Sequence, residues 1–232
     1  VTLCGIDEAG RGPLAGPVTA AAVILPPDFP REGLADSKAL APELRSETSE
    51  RIRGGVVPWG LGWAWPAEID QLNIHHASLL AMRRAFYAML DWRDPPETEA
   101  GAAAPEHAAD ADHVPNASWG VSVRFGVTTV ARGGPVPKAA PDRALVDGRH
   151  TPELPISCEA IVKGDATVAE IQAASIVAKV ARDSWMAAYA ESEPHYGFER
   201  HKGYPTPEHR RLLQQHGPSR IHRYSFRSGG AR

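Results

Sequence analysis

The first twenty-five residues, VTLCGIDEAGRGPLAGPVTAAAVIL (Val1–Leu25), decide how the rest of the chain is read. Residues 1–8 are a short, largely apolar run that ends in two acids, Asp7 and Glu8. Val18–Leu25 is a second apolar run, and the turn-rich stretch Ala9–Gly16 joins the two. Short apolar runs bounded by turn residues predict a buried β-hairpin. Downstream, Ala41–Gly55 predicts a polar helix stopped by Gly54-Gly55, with Pro42 in the first turn, where its missing N–H costs nothing. Val56–Trp65 predicts a strand, and Ile74–Leu90 a long helix with Ile74, Leu79, Met82, Phe86 and Leu90 as its apolar stripe. Ala144–Val146 predicts a strand ending at Asp147-Gly148, and Cys158–Lys163 one ending at Gly164-Asp165. Thr167 and Glu170 then form a T-x-x-E capping-box pattern before a helix that runs to Tyr189. That helix is apolar nearly all round, which predicts a central buried element. Pro205–Gln215 predicts a last helix, closed by His216-Gly217. Strands alternating with helices make the chain α/β.

Residues 92–142 break this pattern. Asp94–Pro115 is rich in Ala, Pro, Glu and Asp without hydrophobic periodicity, the composition of a mobile linker. Trp119, Val121, Val123, Phe125 and Val127 then alternate with smaller or polar residues, a strand pattern that Gly126 could bend into a hairpin. Asn116-Ala117-Ser118 matches a glycosylation sequon by chance, given the compartment inferred below. The expected division is an α/β core over 1–91 and 143–198, a partly disordered insertion with a possible β-hairpin over 92–142, and a basic C-terminal region over 199–232.

A chain of 232 residues can bury a real core without disulfides. Glycine and proline, 21 of each, are about 18% of it against a usual ~12%, so many turns and an unstructured stretch are expected. No apolar run reaches the ~18 residues of a membrane span, and no secretory signal stands at the start. Cys4 and Cys158 form no C-x-x-C pair, which excludes a zinc ribbon or thioredoxin-type site and fits a reducing cytoplasm. The net charge of −3 is unevenly spread: residues 199–232 carry eight Lys or Arg against Glu199 and Glu208. A basic tail after an acidic body suits a surface that meets phosphate, and equally an ordinary solvated tail.

Asp7, Glu8, Asp147 and Asp165 each stand at a strand end or helix start. Carboxylates so placed can converge at one sheet edge, where they would raise one another's pKa values unless a divalent cation neutralised them. All-oxygen ligation favours magnesium or manganese over zinc. Four separate turn acids would account for the spacing as well. Neighbours on a regular strand point to opposite faces, so Asp7 and Glu8 can share a site only if the strand ends there; Gly5 and Gly10 would permit that. The ten histidines form no HxxxH or HxH pair, and His75-His76 are adjacent on a helix. Gly10-Arg11-Gly12-Pro13 lacks the GK[ST] of a P-loop and any dinucleotide fingerprint; it fits a tight turn, or a backbone that approaches a ligand with a guanidinium beside it.

Gly5 to Val18 (GIDEAGRGPLAGPV) resembles the opening signature of type 2 ribonucleases H, specifically the bacterial ribonuclease HII family. Further resemblances follow in family order: Asp36-Ser37-Lys38, Leu72-Asn73-Ile74, Val146-Asp147-Gly148, Lys163-Gly164-Asp165, Ala173–Lys179, His201-Lys202-Gly203-Tyr204 and His222–Phe226. They cover nearly all of the chain outside roughly 92–142, where the family connection is usually far shorter. The resemblance implies an RNase H-like mixed β-sheet flanked by helices, with a helical C-terminal part. It implies that Asp7, Glu8, Asp147 and Asp165 are the metal-binding catalytic acids. Gly10, Arg11 and Gly12 would contact the ribonucleotide 2′-OH and adjoining phosphate, and Tyr204 the sugar of the following deoxynucleotide. Lys38 is a further candidate for phosphate contact.

The implied reaction is hydrolysis 5′ to a ribonucleotide embedded in duplex DNA, and of the RNA in RNA–DNA hybrids, leaving 3′-hydroxyl and 5′-phosphate ends. Two Mg2+ or Mn2+ ions about 4 Å apart would activate water and stabilise the leaving oxygen. The expected enzyme is a cytoplasmic monomer that binds hybrid or ribonucleotide-containing duplex and no membrane, with Arg200–Arg227 holding the backbone without reading sequence. Two rival readings are a resolvase- or transposase-like nuclease on the same fold, and a binding module with an incidental acidic patch. The first has no need of the GRG loop or Tyr204, and the second predicts no magnesium-dependent cleavage.

Overall fold

The computed structural model describes residues 1–34, 40–91, 113–116, 121–124 and 129–226. The first two strands, β1 (Leu3–Ala9) and β2 (Val18–Val23), form the expected antiparallel hairpin, with Asp7 opposite Ala21 and Glu8 opposite Ala20. Helix α1 (Pro42–Arg53) has its proline in the first turn and Gly54 at its C-cap. Strand β3 (Trp59–Ala64) pairs antiparallel with β2.

Helix α2 spans Pro66–Met89 and is broken at Asn73, whose φ of 67° lies outside the helical region. The sequence pattern finds the second segment from Ile74 but misses the first turns from Pro66. Asn73 is the start signal for that second segment: its side-chain oxygen accepts from the N–H groups of His75 (2.9 Å) and His76 (3.2 Å).

Strands β4 (His113–Asn116) and β5 (Val121–Arg124) make a separate antiparallel hairpin. His113–Pro115, expected to be linker, is therefore strand, and Val121–Arg124 falls within the run expected to be strand. Gly126, Trp119, Phe125, Val127 and 94–112 of the linker lie outside the described residues. Strand β6 (Val130–Gly133), also within the expected insertion, joins the central sheet against β3.

Strands β7 (Arg143–Asp147) and β8 (Ser157–Ile161) run parallel to each other, and β7 runs parallel to β1. The six-stranded order is β6-β3-β2-β1-β7-β8, a mixed sheet. A short helix α3 (Gly164–Thr167) precedes α4 (Ala169–Tyr189), and α5 (Phe198–His201) and α6 (Pro207–His216) complete a helical C-terminal part. The expected capping box is not formed. Lys163 is left-handed and opens α3, Val168 is extended, and the Thr167 hydroxyl donates back to the Lys163 carbonyl.

The two-residue period of the strands sorts side chains into two cores. Val18, Ala20 and Ala22 face α2 with Ile6, Met82 and Phe86, whereas Ala21 and Val23 face α4 with Trp185, Met186 and Ile176. Gly5 lies on the α4 side, and a Cβ there would overlap the backbone of Glu170. Its lack of a side chain thus brings α4 onto β1. Gly5 does not loosen the strand, as the sequence suggested: β1 stays paired with β2 through Ala9.

Candidate active site

The parallel ladder between β1 and β7 stops at the Ile6–Val146 pair, one residue before each strand delivers an acid. Beyond that point lie the carboxyl ends of two parallel strands, the usual place for a ligand in such sheets. Asp7 emerges from β1 and Asp147 from β7, while Asp165 comes from the first turn of α3. Each of the three offers an oxygen, and these oxygens lie within 4.8 Å of one another. Asp7 and Asp165 are buried and Asp147 is half-buried.

Local bonds hold the acids in place. Asp7 Oδ1 accepts from the Glu8 N–H at 2.7 Å, and its carboxylate is also bonded to the side chain of Ser175 on α4. The Asp165 N–H donates to Asp147 Oδ1 at 3.3 Å. Glu8 lies beside this triad rather than within the 4.8 Å group. Its Oε1 accepts from Arg11 at 3.3 Å, and its Oε2 is buried without a hydrogen-bond partner. Burial above all, then the charges of Glu8 and Asp147, push the Asp7 carboxyl well above the usual carboxylate range. Glu8 is raised too, chiefly by burial, with Arg11 opposing.

This donor set fits a hard divalent cation: several carboxylate oxygens, no sulfur or imidazole among them, one buried oxygen unsatisfied, and raised pKa values that a dication would reverse. Among the described residues these three acids make up the one cluster of metal-ligand type.

The loop Gly10–Pro17 beside the acids is held by two buried arginines that sequence reasoning missed. Arg223 donates to the carbonyls of Gly10 (2.7 Å), Arg11 (3.1 Å) and Gly16 (2.9 Å). Arg182, from α4, donates to those of Pro17 (2.9 Å), Ala15 (3.1 Å) and Lys202 (3.1 Å). Their exposures are 2% and 0%, and burial lowers both pKa values. A signal existed for Arg182, since a cation on a helix apolar nearly all round must find partners inside. Arg223 looked like one more residue of a basic tail.

The basic C-terminal segment is thus partly internal. Arg223 is consumed by the loop, and Arg200 bonds Glu208 at 2.6 Å and also pairs with Glu199. Arg210 and Arg211 remain exposed, and Arg227 and Arg232 lie outside the described residues.

Tyr204 stands beside the loop, 38% exposed, with its ring within van der Waals reach of a Cβ placed at Gly12 (3.8 Å). The Lys179 ammonium lies 5.5 Å from the ring centroid. Leu14 N–H donates to the Gly203 carbonyl at 2.8 Å, tying the Tyr204 segment to the loop. Lys38 lies outside the described residues. His75 and His76 pack edge to face with centroids 5.1 Å apart, and His150 joins His75 at 4.6 Å.

The family model for ribonuclease HII matches residues 4–91 and 135–228. The ribonuclease HII of Dechloromonas aromatica is 42% identical over 224 residues, covering 97% of this chain and 90% of that protein. That of Nitrosococcus oceani is 43% identical over 225 residues, covering 97% and 88%. Among solved structures, the PCNA:RNase HII complex from Archaeoglobus fulgidus matches with a TM-score of 0.65 at 20% identity, over 100% of this chain and 98% of that one. Ribonuclease H2 from Pyrococcus horikoshii OT3 matches with a TM-score of 0.61 at 18% identity, over 98% and 94%. At these identities the structural matches speak to the fold.

Proposed function

The chain belongs to the ribonuclease HII family, a divalent-metal-dependent type 2 ribonuclease H acting on RNA–DNA hybrids, and we propose that it cuts 5′ to a ribonucleotide embedded in duplex DNA. The products would be a 3′-hydroxyl and a 5′-phosphate. The convergence of Asp7, Asp147 and Asp165 beside the Gly10–Gly12 loop and Tyr204 carries this reading.

Asp7, Asp147 and Asp165 would hold Mg2+ or Mn2+, with Glu8 completing the set. Such ions supply positive charge to the scissile phosphate and lower the pKa of a bound water. Asp7, held by Ser175 and the Glu8 N–H, needs little reorganisation to serve as a ligand. The Arg11 guanidinium, half-exposed and paired with Glu8, is available to a phosphate when Glu8 turns to a cation.

Specificity would rest on the sugar. Gly10 and Arg11 are locked by Arg223 through their carbonyls, so the loop meets a 2′-OH as a preformed polar surface. A site built around a hydroxyl rejects a sugar lacking it, because its own polar groups stay unpaired. The half-exposed Tyr204 ring beside Gly12 would test the next sugar for the opposite feature, no 2′-OH. The exposed Arg210 and Arg211 are suited to duplex phosphates. Two unpaired cysteines, Cys4 and Cys158, accord with a cytoplasmic enzyme.

The test is a cleavage-site map on a duplex with one ribonucleotide, with and without magnesium, beside an all-DNA junction. Magnesium-dependent cutting 5′ to the ribonucleotide alone is expected. Equal cutting of the all-DNA junction would refute the proposal.

A further inference from the structure

Three histidines, His201, His209 and His222, are buried behind the Tyr204 segment, far from the acids in sequence and in role. Their hydrogen bonds determine which nitrogen carries each proton. The Ser219 N–H can only donate, and it points to His222 Nδ1 at 2.8 Å, so that nitrogen is bare. Neutral His222 then carries its proton on Nε2, which lies 3.1 Å from His209 Nε2. His209 Nε2 must accept, so its proton sits on Nδ1 and is donated to the Tyr204 carbonyl at 2.9 Å. In parallel, the Gly203 N–H donates to His201 Nδ1 at 3.2 Å, and His201 Nε2 donates to the Tyr196 carbonyl at 2.7 Å.

The result is a directional relay, Ser219 to His222 to His209 to Tyr204. It is flanked by a second bond that holds Gly203. The His201 and His209 rings stack at 4.3 Å and 13°, so Gly203-Tyr204 is fixed by one imidazole at its N–H and the other at its carbonyl. A second proton would face a donor on every ring: the His222 N–H at His209 Nε2, the Gly203 N–H at His201 Nδ1, and the Ser219 N–H at His222 Nδ1, where the Ser219 hydroxyl also lies at 2.9 Å. Burial lowers the pKa of all three, which keeps them neutral.

We infer that His209, set in one tautomer by His222, is a positioning residue that aims the Tyr204 ring at the sugar beside the cut. The inference rests on the reading of Tyr204 as the group that selects the RNA–DNA junction. Lys179 and Arg182 flank the ring, at 5.5 and 5.9 Å from its centroid. The backbone at Tyr204 therefore governs where the ring stands between them and Gly12.

The test compares kcat/KM on a single-ribonucleotide duplex and on a long RNA–DNA hybrid for wild type, Tyr204→Ala, His209→Leu and His209→Asn. Asparagine places an N–H near the position of Nδ1 and keeps the bond to Tyr204 while dropping His222. We expect Tyr204→Ala and His209→Leu both to lose preference for the single ribonucleotide. Loss of one such bond should cost about tenfold for His209→Leu, with His209→Asn staying close to wild type. Preference lost in Tyr204→Ala but kept in His209→Leu overturns the inference and leaves the Tyr204 reading standing. Preference kept in Tyr204→Ala overturns both. Should His209→Leu fail to fold, nitrogen-15 correlation spectra of the wild type decide: Nδ1–H on His209 with Nε2–H on His222 supports the relay, and the reverse pattern overturns it.

Discussion

Replacing Asp7 by asparagine should make the metal-free protein more stable while it removes activity. Asp7 is buried, and its oxygen lies within 4.8 Å of the oxygens of Asp147 and Asp165. At an effective dielectric of ~20, two unit charges at that separation repel by about 3.5 kcal/mol. Asparagine removes the charge but keeps an acceptor for the Glu8 N–H now bonded at 2.7 Å. What it gives up is the extra strength of charge-assisted bonds to Ser175 and Glu8, about 1.5 kcal/mol. The difference leaves the variant ahead by at most about 2 kcal/mol, since the raised pKa of Asp7 lets a proton relieve part of the repulsion. In a chain of this size that is a rise in Tm of up to roughly 8 °C. The assay is thermal or urea unfolding in chelator at neutral pH, repeated with saturating Mn2+. Wild type should gain stability from the ion and the variant should not. A variant no more stable than wild type in chelator, or one gaining equally from Mn2+, would refute the argument that mutual repulsion primes these acids for a cation.

Other outcomes are equally specific. Burial holds the His222 pKa down at about 4 against an ordinary 6.5, so the unfolded chain takes up that proton first as pH falls. The stability this represents, about 3 kcal/mol, is present above pH 6.5 and lost on the way to pH 4. The raised Asp7 and Glu8 act in the opposite sense, so the quantity to measure is the difference in pH slope between wild type and His222→Gln by urea unfolding; identical slopes would contradict the assignment. Arg223→Leu strips three loop carbonyls of their donor and should cost about 3–5 kcal/mol in chemical unfolding. A change under about 1 kcal/mol would mean the loop is held otherwise. Gly5→Ala must push α4 off β1, with a loss of several kcal/mol and weaker Mn2+ binding, read by calorimetry; a fully stable variant would contradict the packing.

Local pattern carried far in this chain. The hairpin of β1 and β2 is written as two apolar runs around a turn, and the acids are visible because each ends such a run. The buried character of α4 follows from its composition. What escaped needed three-dimensional information. Thr167 and Glu170 have the spacing of a capping box, yet the left-handed Lys163 and extended Val168 place them in separate helices. The first turns of α2 were hidden because Asn73 interrupts the apolar period. Arg182, Arg223 and the histidine relay bond carbonyls and rings as far as 213 residues away, and no local period records such partners. Charge counting even misled, since Arg223 and Arg200 are spent inside the molecule or on Glu208.

The account stands on Asp7, Asp147 and Asp165 acting together as one cation-dependent centre. Single-turnover cleavage of a duplex carrying one ribonucleotide, measured for Asp147→Asn in magnesium beside duplex binding by fluorescence anisotropy, tests it most directly. Cleavage should vanish while binding stays within a few-fold of wild type. A variant that still cuts at a rate near wild type would contradict the assignment outright.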